Sequence, residues 1–447
     1  MANEKKTIGV EPVYDARLLG LPRMFLLGFQ HMFAMFGATV LVPIIVSGDF
    51  GLPLSVQTTL FFAGFGTLFF HFCTKLKVPA FLGSSFAYLG GFAAIGSLNV
   101  GKWADMTGEE KLPYALGGIC VAGLMYLILA LLFKLVGPQK VMRFFPPIVT
   151  GPMIILIGLS LAGSAVANAS TNWLLALIAI ATIVFCNIWG VGMVRIIPIL
   201  LGVLVSYIVA LAAGVVDFSA AKEVSTLGLP PFVLAKFDLT SILVMAPIAI
   251  AAMMEHIGDI SAVSATCERN FIAEPGLHRT LLGDGVATAV AGFFGGPANT
   301  TYGENTGVLA LTKVYDPSVV RLAALYAILL SFSPKFAAFI NSIPTAIIGG
   351  VSFILYGMIS AVGVRNVVEN KVDLTKSRNL IVAAVMFVCG LGFSDGISFT
   401  VGEASITLTS LAVAALAGVI LNAILPGKDY VFGEDPEGDA SADMGHF

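Results

Sequence analysis

Apolar runs of about twenty residues, parted by short polar connections, follow one another along nearly the whole chain of 447 residues. A helix that crosses a bilayer needs roughly 20 such residues. Runs of that kind fall near 24–46, 56–72, 112–136, 145–167, 173–189, 196–216, 242–262, 281–295, 319–340, 347–364, 379–393 and 405–425. Two further stretches, 78–98 and 297–312, are apolar overall but interrupted by Gly, Ser, Thr, Asn and Pro. Counted together they predict fourteen segments in an all-α polytopic membrane protein.

Composition agrees. Hydrophobic residues make up 57% of the chain and charged residues 11%, with a mean hydropathy of +0.93. A soluble domain carries about a quarter charged residues, so lipid must solvate most of this surface. The basic residues then test the topology. With the N-terminus inside and fourteen crossings, 19 Lys and Arg face the cytoplasm and Lys102, Lys111, Lys222, Lys236 and Lys335 face out. That bias is what the positive-inside rule demands. It predicts a multi-pass protein of the cytoplasmic (inner) membrane with both termini cytoplasmic.

Other classes lose ground on the same evidence. A net charge of −3 gives no hint of nucleic acid, and five scattered cysteines form neither a disulfide framework nor a metal cluster. The segment Met1 to Arg17 lacks the apolar core of a cleavable signal, so the first span is expected to direct insertion. The last twenty residues, rich in Asp, Glu, Gly and Ser, read as a disordered acidic tail. No His-Glu-x-x-His, paired cysteines or Gly-x-Ser-x-Gly marks an enzyme, a metal site or a cofactor.

Three pairs of segments resemble each other in the same order. Gln30-His31 pairs with Glu255-His256, and Gly83-Ser84-Ser85-Phe86 pairs with Asn299-Thr300-Thr301-Tyr302. Pro146, Gly151 and Gly158 pair with Pro344, Gly350 and Gly357. A duplicated unit of seven spans accounts for the order, and because seven is odd the second copy is inverted. Inverted repeats and interrupted helices at a midplane site are the plan of many secondary carriers.

Ionisable residues inside spans are costly and mark function by default. Here they are His31, Glu255, His256, Asp259 and Glu304, with Asp284 near the start of its span. Glu255 and Asp259 stand four apart and share a helix face. Two carboxylates together in low dielectric cannot both ionise cheaply, so one is expected to hold a proton. Glu304 follows Tyr302-Gly303 at the start of a half-helix, whose free N–H groups can donate to a carbonyl oxygen. Phe86 after two serines offers an aromatic face. A flat ring that alternates N–H and C=O, such as a pyrimidinedione, suits this set, whereas an inorganic anion would be repelled. His71 and His278 read as ordinary interface residues, and the paired glycines read as close helix packing.

The run Glu304-Asn305-Thr306-Gly307, four residues, Thr312-Lys313 resembles the signature of the nucleobase–ascorbate transporter family. The flanking PANTTYGENTGVLALTKVY, QHMFAMFGATVLVP, VPAFLGSSFAY and EPGLHR look like bacterial uracil permeases, over about residues 20–425. The resemblance implies a 7+7 inverted repeat with short antiparallel strands in segments 3 and 10 and uracil import coupled to protons. It implies a core domain (21–140 and 238–341), a gate domain (141–237 and 342–427), and terminal segments 1–20 and 428–447. It implies base binding by Glu255, Glu304, Phe86, Tyr302, Gly303 and Ser85, with Tyr356 facing the site from the gate. Proton coupling falls to Glu255, Asp259 and His31. Homodimers through the gate domain are also implied. One departure stands out: the best-known uracil permease has histidine where Asp259 stands, and Glu-x3-Asp is similar to purine-type members. Glu304 favours uracil, since xanthine and urate carriers usually have Gln there. A xanthine- or urate-type permease is therefore the alternative, ahead of an anion carrier or a passive channel.

Overall fold

Helices dominate the computed structural model, which describes residues 8–9, 11–99, 101–216, 224–393, 396–401, 404–427 and 430. The expected acidic tail lies outside the described residues apart from Tyr430, as does the N-terminal stretch 1–7. Among the described residues, six helices are long and apolar enough to cross a membrane: Leu21–Gly48, Val56–Cys73, Gly108–Val136, Pro147–Ser170, Leu239–Thr266 and Thr345–Glu369. Five shorter apolar helices join them: Phe86–Gly96, Trp173–Trp189, Pro198–Ala212, Ser377–Gly392 and Ser410–Ile424. Helix Leu277–Phe294 is polar for its length, with Thr280, Asp284 and Thr288 buried against its neighbours.

Three expected spans are less regular than the apolar runs imply. The run near 319–340 is two helices, Pro317–Ser331 and Pro334–Asn341, bent by 88°. Pro334 cannot donate to the ladder, and Ser333 starts a new helix by accepting from Phe336 N at 3.2 Å. The run near 145–167 is interrupted at Leu161, between Pro147–Ser160 and Ala162–Ser170. The run near 242–262 begins earlier, at Leu239, and breaks before Pro247. A hairpin of Ile397–Val401 with Ala404–Leu408 was not expected at all. Its alternation of Ile, Ser, Phe, Thr and Val has the period of a strand, too short to register between two apolar runs.

The two interrupted stretches meet at the centre of the molecule. Strand β1 (Leu82–Ser84) pairs antiparallel with β2 (Asn299–Thr301), with Gly83 opposite Thr300. Polar backbone at such depth must be satisfied by protein, and two threonines do it in matching fashion. Thr67, on helix Val56–Cys73, accepts from Leu82 N at 2.8 Å and donates to Leu82 O at 3.2 Å. Thr288, on helix Leu277–Phe294, accepts from Asn299 N at 3.1 Å and donates to Asn299 O at 3.3 Å. Each strand is thus held at its first residue by the helix beside it. The third sequence pair is close packing only in part: Gly151 and Gly158 abut helix Thr345–Glu369 at Gly363 and Tyr356, and Gly350 abuts Ala176, whereas Gly357 has nothing within 4 Å of where a Cβ would stand.

Gly83 is where the crossing is tightest. A Cβ there would lie 2.2 Å from Tyr302 Cζ and 2.7 Å from its hydroxyl oxygen. The ring cannot simply swing aside, because its hydroxyl donates to Ser84 O at 2.9 Å. Gly83→Ala is therefore expected to cost about 1–3 kcal/mol by overpacking, read as a lower melting temperature in detergent. An unchanged melting temperature would show that the strands have slack.

Candidate functional site

Glu255 and Asp259 project from one face of helix Ile248–Thr266 toward the strand pair. Thr301 Oγ1, at the end of β2, donates to Asp259 Oδ2 at 2.8 Å. The next residue, Tyr302, is fastened to the first stretch by its backbone N–H, which donates to Phe81 O at 3.0 Å. Helix Gly303–Thr312 then begins without a side-chain cap, the backbone N–H of Glu304 facing that residue's own carboxylate. Glu304 stands in that first turn. Across the crossing, Ser85 N donates to Ala298 O at 2.9 Å, and Phe86 follows at the start of the matching short helix.

These pieces surround one cavity of about 350 Å³. Phe86, Glu255, Asp259, Thr300, Thr301, Tyr302, Gly303 and Glu304 line its inner end. The rest of the lining is mostly apolar and includes Ile154, Ile199, Met358, Ile359 and Val362. Gly307, Leu311, Asn187 and Arg195 also line the cavity. Leu311 is near the end of helix Gly303–Thr312, Asn187 near the end of helix Trp173–Trp189, and Arg195 on the short helix Met193–Ile196. Gly303 and Gly307 have nothing within 4 Å of where a Cβ would stand, so the helix presents bare backbone to open space.

Three expected site residues lie outside this lining. Ser85 is buried behind it, at the crossing. Tyr356 is buried too and meets Phe86 edge-on, with ring centroids 5.8 Å apart at 76°. It therefore backs the aromatic wall. His31 is fully enclosed, and Asn305 Nδ2 donates both to its carbonyl oxygen at 2.9 Å and to its Nδ1 at 3.1 Å. This links helix Leu21–Gly48 to the helix that carries Glu304.

His256 points away from the cavity, with Nδ1 2.8 Å from Asp284 Oδ2 and neither side chain exposed. Asp284 is thus fully interior, not interfacial as its place near the start of a span implies. The pair braces helix Ile248–Thr266 against helix Leu277–Phe294 and so holds the face bearing Glu255 and Asp259. His71 is likewise buried, not at an interface, with Nε2 2.8 Å from Ala80 O. Sequence reasoning missed Thr301, Asn187 and Arg195 as lining residues. Thr301 was legible only as part of a polar interruption, and the other two sit at span ends where polar residues are routine.

Comparison with known proteins sets this geometry in context. A family model described as the permease family matches residues 22–399. The uracil permease of Bacillus caldolyticus is 41% identical over 417 residues, 90% of this chain and 92% of that protein. The uracil permease of Escherichia coli (strain K12) is 37% identical over 409 residues, 89% and 90% of the two chains. Among solved structures, the transmembrane domain of a cyanobacterium bicarbonate transporter, BicA, superposes with a TM-score of 0.58. It is 16% identical, covering 91% of this chain and 99% of that one. SLC26A9 superposes with a TM-score of 0.64 at 12% identity, covering 92% and 66%. The structural likeness extends to the fold alone.

Proposed function

This chain belongs to the nucleobase–ascorbate transporter family, and from that premise we propose that it imports uracil together with protons by alternating access. The observation that carries the proposal is the meeting of Glu255, Glu304, Phe86 and uncapped backbone at Gly303 in one cavity, with Asp259 one turn away. The carboxylates accept from the N–H groups of a pyrimidinedione, the helix start donates to a carbonyl oxygen, and Phe86 supplies a ring face. Relatives named uracil permeases, at 37–41% identity over most of the chain, support the choice of base. A xanthine-type purine is the less favoured reading.

We infer fourteen crossings, the long and short apolar helices being joined by the bent pair, by Leu277–Phe294 and by β2 with its following helix. The matching roles of Thr67 and Thr288 support the inverted repeat. Core and gate then follow the boundaries the resemblance implies, with both termini in the cytoplasm and the gate domain as the dimer face. On that topology the cavity mouth, near Arg195, Lys313 and Arg365, faces the cytoplasm. The far side is closed by Phe86 against Tyr356 and by Asn168 Nδ2 donating to Asp49 Oδ2 at 3.0 Å. Movement of core against gate opens that side, admits base and proton, and returns both to this cavity.

Labelled uracil uptake into membrane vesicles, with and without an imposed proton gradient and competed by xanthine and thymine, tests the reading. Gradient-driven accumulation blocked by uracil but not xanthine is expected; displacement by xanthine transfers the assignment to the purine alternative. Gly303→Val offers a steric test. Its side chain meets no protein atom within 4 Å of the Cβ, so the fold should be unaffected. Uracil affinity should fall by about tenfold as the methyls occupy ligand space. Normal affinity in this variant would move the ligand elsewhere.

A further inference from the structure

The polar groups that line the cavity come from two separate parts of the chain. The acids and threonines come from helix Ile248–Thr266, β2 and helix Gly303–Thr312. Also lining the cavity are Asn187, near the end of helix Trp173–Trp189, and Arg195, on the short helix Met193–Ile196. Arg195 is the one basic residue among those lining the cavity. We propose that Arg195, assisted by Asn187, contacts the substrate at the cavity mouth, where it donates to the carbonyl oxygens of a base entering or leaving on that side.

A bland reading exists, since basic residues at span ends commonly serve only to orient the chain. Such residues extend to the headgroups, with their charge in water. Arg195, though exposed, lines the same cavity as three carboxylates, whereas Lys313 and Arg365 are not among that lining. Its position is also built: Gly192, with φ of +59°, turns the chain after helix Trp173–Trp189 into the short helix carrying Arg195. That helix packs against helix Gly303–Thr312 and against helix Leu21–Gly48, where Gln30 Nε2 lies 2.7 Å from Met193 Sδ.

The chemistry matches what a departing base lacks. Away from the acids, its two carbonyl oxygens face a wall of Ile, Leu, Val and Met that cannot donate. The guanidinium presents five N–H donors in a rigid fork and stays charged whatever the proton count of the acids. Asn187 adds a donor and an acceptor. A contact here does not compete with the inner site, so it acts on entry and release from one face only.

This inference rests on the reading of the cavity as a uracil route, and asymmetry between the two membrane faces tests it separately. Arg195→Gln is compared with wild type in right-side-out and everted vesicles. At the cytoplasmic face the KM for uracil is expected to rise about tenfold, the loss of one charge-assisted hydrogen bond. At the outer face it should stay within about twofold, because Arg195 is beyond reach there. An unchanged cytoplasmic KM, or equal changes on both faces, overturns the proposal. Wild type that carries no uracil would sink the substrate reading instead. A second measurement guards against a misinserted variant: Arg195→Cys is alkylated by an impermeant maleimide from the cytoplasmic side. Saturating uracil should slow that labelling by several-fold while leaving Arg365→Cys unaffected; labelling of Arg195→Cys at the same rate with and without uracil overturns the contact.

Discussion

Glu304→Gln is expected to weaken uracil binding by about 10- to 100-fold, the worth of one hydrogen bond to a charged acceptor. Glu304 stands in the first turn of a helix that no side chain caps, beside bare backbone at Gly303, in a cavity shared with Glu255. A carboxylate there offers acceptor oxygens in every orientation. An amide offers one acceptor and one donor, and whenever its NH₂ turns inward it meets the N–H of the base. The substitution hardly changes volume, so packing and insertion should be preserved. Calorimetric titration of the purified variant, or inhibition of labelled uracil uptake by unlabelled base, reads the change. Affinity equal to wild type would remove Glu304 from the binding site and leave the cavity without its main selector for a pyrimidinedione.

Much of this arrangement was legible before any coordinates because burying charge in a bilayer is expensive. That cost made Glu255, Asp259 and Glu304 conspicuous, and helical periodicity alone placed the first two on one face. The polar interruptions at Gly83 to Ser85 and Asn299 to Thr301 also announced themselves, since interrupted helices at membrane depth need partners. That the partners are each other in an antiparallel pair was implied by the family resemblance alone; that Thr67 and Thr288 seal it is a long-range fact no local pattern encodes. The same holds for Asn305 reaching His31 and for His256 reaching Asp284. Hydropathy failed in a different way at Ser331 to Pro334. A window of about twenty residues averages over a right-angled bend as readily as over a straight helix, so the run looked like one span. Arg195 was visible but uninformative, because a basic residue at a span end has a sufficient topological explanation until its cavity is seen.

Asp259→Asn is expected to separate binding from coupling. Asp259 is tied to the strand pair by the hydroxyl of Thr301, which donates to its Oδ2 at 2.8 Å. An asparagine keeps an oxygen that can accept that bond, so β2 and the start of helix Gly303–Thr312 should hold their places. Uracil affinity is then expected to change by less than about threefold, within the range of a preserved neutral hydrogen bond. What asparagine cannot do is take up a proton on one side of the membrane and give it up on the other. A carrier that moves one proton per base accumulates its substrate up to about tenfold for each unit of pH difference, since one unit is about 1.4 kcal/mol. In proteoliposomes with a gradient of one unit, wild type should approach that ratio, whereas Asp259→Asn should equilibrate near a ratio of about one, with exchange of labelled for unlabelled uracil retained. Accumulation by the variant to the wild-type level would take Asp259 out of the proton path and return the role to Glu255, one turn back on the same helix face, or to His31.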